Sequence, residues 1–182
     1  MSIADDVFSI FQHRGSGAYF GERVSMTEHA LQAAYFASQE SAPPTLIVAA
    51  LLHDIGHLVE AVPDDLGDWT ADARHEEIGA RWLAQRLQAD VAGPVRLHVP
   101  AKRYLCATDT NYVAMLSHAS LVTLKLQGGP MPRNELLQFE TQRYSKDAIR
   151  LRRWDDRGKI SGLKTPGLSE YRELIQELAL RD

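Results

Sequence analysis

The run Leu46-Ile47-Val48-Ala49-Ala50-Leu51-Leu52 is apolar on every side and leads directly into His53-Asp54-Ile55-Gly56-His57. A surface helix keeps one polar face, so a segment without one belongs in the interior. This one carries an imidazole and a carboxylate in with it. Buried ionisable groups are costly unless something compensates them, and a metal ion is the usual compensation. On a helix the two side chains project about 100° apart, so both can reach one ion from one edge. The second carboxylate oxygen can bridge to another ion. The first expectation is a metal site built around His53 and Asp54, with other histidines as candidate ligands.

The rest of the chain reads as helices. Ile3, Val7, Ile10 and Phe11 recur at helical spacing behind a Ser2/Asp5 capping box. A glycine-rich stretch follows, His13 to Glu22, which argues against helix or strand and suggests a mobile loop. Ser25-Met26-Thr27-Glu28 forms a second capping box and opens a helix to about Glu40, with His29 in its first turns. Pro43-Pro44 stops it, and Thr45 can cap the buried helix. An acidic loop over Asp64–Asp68 follows Pro63. A helix is then expected from about Asp72, with His75 near its start and Ile78, Trp82 and Leu87 as its stripe. Residues 95–102 read as short helix interrupted at Pro100. Residues 109–127 read as one helix with Tyr112, Met115, Leu116 and Ala119 on its apolar face, closed by Gly128-Gly129-Pro130. Helices over 133–143 and 145–155 follow, the latter capped by Ser145, then a loop and a final helix over 168–180. With no period-2 strand and no repeat, the expected fold is all-α, one domain over 1–182 with about seven to nine helices in an irregular bundle.

Length and charge narrow the function classes. A chain of 182 residues holds one substantial core. Twenty Lys and Arg against 24 Asp and Glu give a formal charge of −4, which offers no general basic surface for nucleic acid. Cys106 is the single cysteine, so neither a disulfide framework nor a thiolate cluster is expected, and it reads as a small buried filler. No signal peptide and no membrane-spanning run is read, so the expectation is a soluble cytoplasmic protein. Nothing in the sequence sets the oligomeric state.

His29, His53, Asp54, His75 and His98 fall on successive helical segments, each in or beside an apolar stretch, and Asp155 follows on a later helix. Nitrogen and oxygen donors without sulfur favour iron, manganese or another octahedral metal over a closed structural zinc site. A single buried histidine is more often a hydrogen-bonded core residue than a ligand, and His13 and His118 take that reading or a surface one.

Several polar residues have spacing suited to an anion beside such metals. His57 is four residues after His53, and Lys102 four after His98 with Pro100 intervening. Ser120 and Thr123 share a helical face, and Arg152 stands three before Asp155. Cations with hydroxyls supply charge-assisted bonds to a phosphonate or phosphate. The plain alternatives are hydroxyls bonded one turn back and solvated surface cations.

The order His29…His53-Asp54…His75…His98…Asp155 resembles that of the HD-domain superfamily, most of whose members are phosphohydrolases. Further stretches point to a narrower branch: Tyr19-Phe20-Gly21-Glu22, Glu28-His29-Ala30-Leu31-Gln32, His98-Val99-Pro100-Ala101-Lys102-Arg103-Tyr104-Leu105, Gln127-Gly128-Gly129-Pro130-Met131, and Arg152-Arg153-Trp154-Asp155 with Gly158-Lys159. These resemble the mixed-valent di-iron oxygenases that cleave 1-hydroxyphosphonates.

The resemblance implies one iron held by His29, His53, Asp54 and Asp155, and a second by Asp54, His75 and His98. It turns His57, Lys102, Ser120, Thr123 and Arg152 toward phosphonate binding. Tyr19 would occupy an iron position until substrate arrives, and Glu22 would receive an amino group. The implied reaction uses Fe(II)/Fe(III) and dioxygen to convert 2-amino-1-hydroxyethylphosphonate to glycine and phosphate, or its N-trimethylated analogue to glycine betaine. The amine is the substrate the reading leans to. Tyr19, Phe20, Trp69, Tyr104 or Tyr144 could instead surround a quaternary ammonium. The alternatives are a metal-dependent HD phosphohydrolase acting on a small phosphate ester or nucleotide, and a non-catalytic HD module.

Overall fold

A computed structural model describes residues 2–59 and 74–180. Among them the chain is all-α: eleven α-helices and one 3-10 turn, with only two isolated β-bridges, Ala18 with Ser25 and Leu87 with Ala179. The helix count exceeds the expectation because two expected helices are broken. No helix among the described residues is long and apolar enough to cross a membrane.

Both capping boxes form as read. Ser2 opens α1 (Ile3–Arg14) and Ser25 opens α2 (Met26–Gln39), each with reciprocal bonds to its N3 carboxylate. The buried helix is α3 (Pro44–Leu52). It begins at Pro44 with no side-chain cap, so Thr45 does not cap it; proline is already preset for the first helical position. His53, Asp54 and Ile55 then form a turn before the short α4 (Gly56–Val59). His53 and His57 are therefore not successive turns of one helix.

Helix α5 (His75–Ala84) packs on α4 at a place where no side chain fits. A Cβ on Gly56 would stand 2.0 Å from the His75 carbonyl oxygen, so glycine is required there. Leu87 lies past the end of α5 yet is buried. The acidic loop and the expected start at Asp72 lie outside the described residues.

Helix α6 (Ala89–Thr108) is one 20-residue helix running through Pro94 and Pro100, where an interruption was expected. Proline in a helix interior removes a hydrogen bond and costs about 3 kcal/mol. Burial of Val91, Val95, Leu97, Val99, Ala101 and Leu105 outweighs that local preference.

The stretch 109–127 is two helices, α7 (Tyr112–Met115) and α8 (His118–Leu126), separated because Ser117 caps the second by accepting from the Ser120 amide. Met115 consequently leaves the expected apolar face and is 63% exposed. After α9 (Arg133–Glu140), α10 (Ser145–Arg157) starts with Ser145 as its first residue and Tyr144 at the cap position, without a side-chain cap bond. The final stretch is a 3-10 turn (Leu168–Tyr171) and the short α11 (Arg172–Glu177).

The main core joins α1, α2, α3 and α11 with Leu83, Val91 and Val95, and reaches Leu151 and Trp154 of α10. Helices α2, α3, α5, α6 and α10 thus surround the His53-Asp54 turn.

Candidate metal centre and anion pocket

Three of the four buried or half-buried histidines are oriented by backbone carbonyls, and the fourth, His75, has its Nδ1 3.7 Å from Glu76 Oε2. His29 bonds through Nδ1 to the Gly158 oxygen at 2.9 Å, His53 to Ala50 at 2.8 Å, and His98 to Val95 at 2.7 Å. With Nδ1 as donor, each of those three rings presents the lone pair of Nε2. The four Nε2 atoms converge in twos. His29 Nε2 is 3.0 Å from His53 Nε2, and His75 Nε2 is 3.1 Å from His98 Nε2.

Asp54 lies between the two pairs. Its Oδ2 is 3.6 Å from His29 Nε2 and 3.3 Å from His53 Nε2, while its Oδ1 is 3.2 Å from His75 Nε2 and 3.5 Å from His98 Nε2. His29, His53 and Asp54 therefore form one group able to hold a metal, and Asp54, His75 and His98 another. Asp155 adds Oδ1 at 3.4 Å from His29 Nε2. The fit to a cation is direct: Asp54 Oδ2 and Asp155 Oδ1 are buried with no hydrogen-bond partner, and facing lone pairs repel unless something positive stands between them.

The electrostatics agree. Burial would raise Asp54, but His53, His29 and His75 outweigh it and hold the carboxyl well below its usual range. Burial likewise opposes ionisation of Asp155, and Arg152 with His29 overcomes it. Burial disfavours the charged His29 ring, yet the facing Asp155 and Asp54 carboxylates raise it to about 9. His98 is lowered to about 4, chiefly by burial.

The expected anion residues lie on one side of this centre. Lys102 is buried and donates to Thr123 Oγ1 at 2.8 Å; burial and then the Arg152 charge lower it to about 7. Thr123 itself donates to the Ser120 carbonyl at 3.2 Å, the one-turn-back bond weighed as its plain alternative. Ser120 Oγ receives Arg152 Nη2 at 3.4 Å. Most of the Arg152 guanidinium faces carboxylates: Nη1 is 2.7 Å from Asp155 Oδ2, and Asp156 takes two further donors. His57 stacks on His75 with ring centroids 4.1 Å apart, rather than accompanying His53, and burial followed by the His75 charge keeps it neutral.

The Tyr19–Glu22 turn adjoins these residues, with Phe20 against His57 and Glu22 beside Lys159. The stretch read as mobile is tied by Tyr19 N to the Val24 oxygen at 2.9 Å, Met26 N to Gly17 at 3.0 Å and Glu22 N to Tyr19 at 2.7 Å. Gly21 takes a φ of 77°, which its lack of a Cβ allows. Tyr19 is buried and stacks on His29 at 3.8 Å; burial and then the Asp54 and Asp155 charges raise its phenol. Phe20 packs edge-on against His57. Tyr104 and Tyr144 bond instead to Glu140 and Asp90, and Trp69 lies outside the described residues. Both His13 and His118 are exposed.

Two residues here were missed. Gln32 grips the Ile160 backbone from both sides, at 2.8 and 2.9 Å, while His29 on the same face holds Gly158. Lys159, between them, is thereby aimed inward. Its Nζ is 3.0 Å from Ser120 Oγ, 3.3 Å from Ser117 Oγ and 3.9 Å from Glu22 Oε1. The signal available was Gln32 one turn after His29 on a face that has to be buried.

Residues 23–134 match the HD domain family. The chain belongs to that family. Among curated relatives, it is 42% identical over 177 residues to the [1-hydroxy-2-(trimethylamino)ethyl]phosphonate dioxygenase (glycine-betaine-forming) of Leisingera caerulea, covering 97% of this chain and 90% of that protein. It is 43% identical over 171 residues to the hydroxymethylphosphonate dioxygenase of Gimesia maris, covering 93% and 85%. Metal use by this HD-domain chain is supported jointly by those relatives and by the His/Asp cluster.

Proposed function

We propose that this chain is a di-iron, dioxygen-dependent enzyme that cleaves the carbon–phosphorus bond of a small 1-hydroxyphosphonate. The observation that carries the reading is Asp54, with one oxygen toward each pair of imidazoles, beside a pocket of cations and hydroxyls. Histidine and carboxylate donors without sulfur suit iron, and two relatives that align over most of the chain are phosphonate dioxygenases. One ion is assigned to His29, His53, Asp54 and Asp155, the other to Asp54, His75 and His98. Asp155 lies beyond the matched family segment, so residues 1–182 act as one HD domain in this reading. Bound iron supplies the redox chemistry with dioxygen.

The chain's own residues bind and orient. Lys102 with Thr123, Lys159 with Ser120, and neutral His57 receive the phosphonate oxygens. Arg152 reaches the same pocket through Ser120, while its other donors hold Asp155. Tyr19, stacked on the face of His29, moves aside when the substrate hydroxyl arrives. Glu22 offers a negative charge at the far end of the substrate. The overall change balances as 1-hydroxyphosphonate plus O2 giving carboxylic acid plus phosphate, with both oxygen atoms retained in products. The acid is glycine from 2-amino-1-hydroxyethylphosphonate, glycine betaine from its trimethylated analogue and formate from hydroxymethylphosphonate. No nucleic acid or membrane takes part.

The test incubates iron-loaded protein with each of these three phosphonates and with simple phosphate esters, measuring phosphate. Release from at least one phosphonate and none from the esters supports the reading, and the three rates rank the substrates. Release from esters alone, with or without oxygen, would return the chain to the phosphohydrolases.

A further inference from the structure

Asp155 is the one assigned ligand whose carboxylate is split between a cation and the metal-facing cluster. Its Oδ2 receives Arg152 Nη1 at 2.7 Å, and its Oδ1 points to His29 with no hydrogen-bond partner of its own. Which oxygen faces the histidines thus depends on where the guanidinium sits. The guanidinium is held in turn. Asp156 accepts from both Nε and Nη2, Tyr112 Oη accepts from Nε at 3.1 Å, and the Tyr112 hydroxyl donates to the same Asp156 carboxylate. Arg152 and Tyr112 are buried, and Asp156 is largely so.

We infer that Asp156 and Tyr112 are positioning residues for the metal centre. They clamp Arg152 on its outer side so that it fixes Asp155 with Oδ1 turned inward. Two physical effects coincide. Geometrically, a planar guanidinium engaged side-on by one carboxylate has little freedom to swing. Electrostatically, an unneutralised buried cation beside the site would repel the ion that Asp155 is there to hold, and Asp156 supplies the matching charge. The clamp also decides the arginine's allegiance. Nη2 is already 3.4 Å from Ser120 Oγ, so a guanidinium released from Asp156 can turn into the anion pocket and draw Oδ2 of Asp155 after it. The hydrogen bonds of both residues go to Arg152 and to each other, so the guanidinium is the link through which they reach the Asp155 carboxylate. The inference rests on the two-ion reading above.

The variants are Asp156→Asn, which keeps the shape but loses the charge, and Tyr112→Phe, which removes only the hydroxyl. Metal-free protein is titrated with Mn(II) by calorimetry, with bound metal counted per chain, and its thermal unfolding is recorded. Outer partners of metal ligands typically change affinity by about 10–100-fold. Asp156→Asn should therefore weaken one of the two ions by about that factor and leave the other within about threefold. Tyr112→Phe should weaken the same ion less. Substrate added to Asp156→Asn should not restore that ion. Equal weakening of both ions, or unchanged affinities in both variants, would overturn the clamp. If Asp156→Asn does not fold, Tyr112→Phe decides alone: an unaltered titration overturns the inference. Wild-type protein binding fewer than two ions would instead overturn the two-ion reading, and this inference with it.

Discussion

Gly56→Ala tests how the fold sets the metal geometry. The added methyl would stand 2.0 Å from the His75 carbonyl oxygen and 2.9 Å from the Gly79 nitrogen, both backbone atoms that cannot rotate away. Relaxed contacts of this kind need about 3.5 Å, so α4 and α5 must part by at least about 1 Å. Overpacking of this sort costs about 1–3 kcal/mol. In a chain of this size each kcal/mol moves Tm by about 2–4 °C, so the metal-free Tm should fall by about 2–12 °C. The same displacement moves His75, whose Nε2 stands 3.2 Å from Asp54 Oδ1. Sites tolerate about 0.5 Å, so the ion assigned to Asp54, His75 and His98 should bind at least about tenfold more weakly. Gly79→Ala is the comparison: its Cβ meets the Gly56 nitrogen at 3.1 Å and Ile55 Cγ2 at 3.4 Å, so its cost should be clearly smaller. Thermal unfolding and Mn(II) titration of the metal-free proteins make the measurement. Wild-type values for Gly56→Ala on both would refute the close approach as the reason for the glycine.

Other perturbations separate the parts of the site. Asp54→Ala should lose both ions by metal analysis, whereas Lys102→Ala should keep both and raise KM; equal metal loss in the two would sink the division between metal and anion residues. Lys159→Met should also keep both ions and raise KM, since its contacts are Ser117, Ser120 and Glu22, and a wild-type KM would remove it from the pocket. Metal-free protein should lose stability as pH falls from 6.5 to 5, whereas above 6.5 the loss from His29 is opposed by Lys102, which is lowered to about 7 and adds stability as pH rises from there. The raised His29 contributes stability that is complete below its unfolded value, about 6.5, and lost as pH climbs through about 9. The lowered His98 contributes above that value and loses it as pH falls toward about 4. Denaturant unfolding at pH 5 and 6.5 checks this, and equal or greater stability at pH 5 would contradict it.

The central turn was legible because its reason is local: seven apolar residues running into a histidine and an aspartate leave few places for that pair except a compensated interior. The two capping boxes were equally legible, since each is a contact across three residues. Misreadings came where tertiary packing overrides local preference. Pro100 breaks helices in isolation, but α6 is buried against α5 and α10 and continues through it. Ser117 is an ordinary helix residue by periodicity, and only its bond to the Ser120 amide reveals it as a cap. Lys159 entered only through the resemblance, with no role read for it: it follows the end of α10, and its direction comes from His29 and Gln32 gripping the residues on either side. Likewise, the sequence placed Arg152 toward the Asp155 site without showing that Asp156 and Tyr112 hold most of its donors.

The most direct measurement follows oxygen consumption and phosphate release together, using iron-loaded, partly reduced protein and whichever 1-hydroxyphosphonate is turned over fastest. The account predicts one O2 consumed for each phosphate and carboxylic acid formed, and no phosphate under anaerobic conditions. Phosphate released at the same rate without oxygen would contradict it.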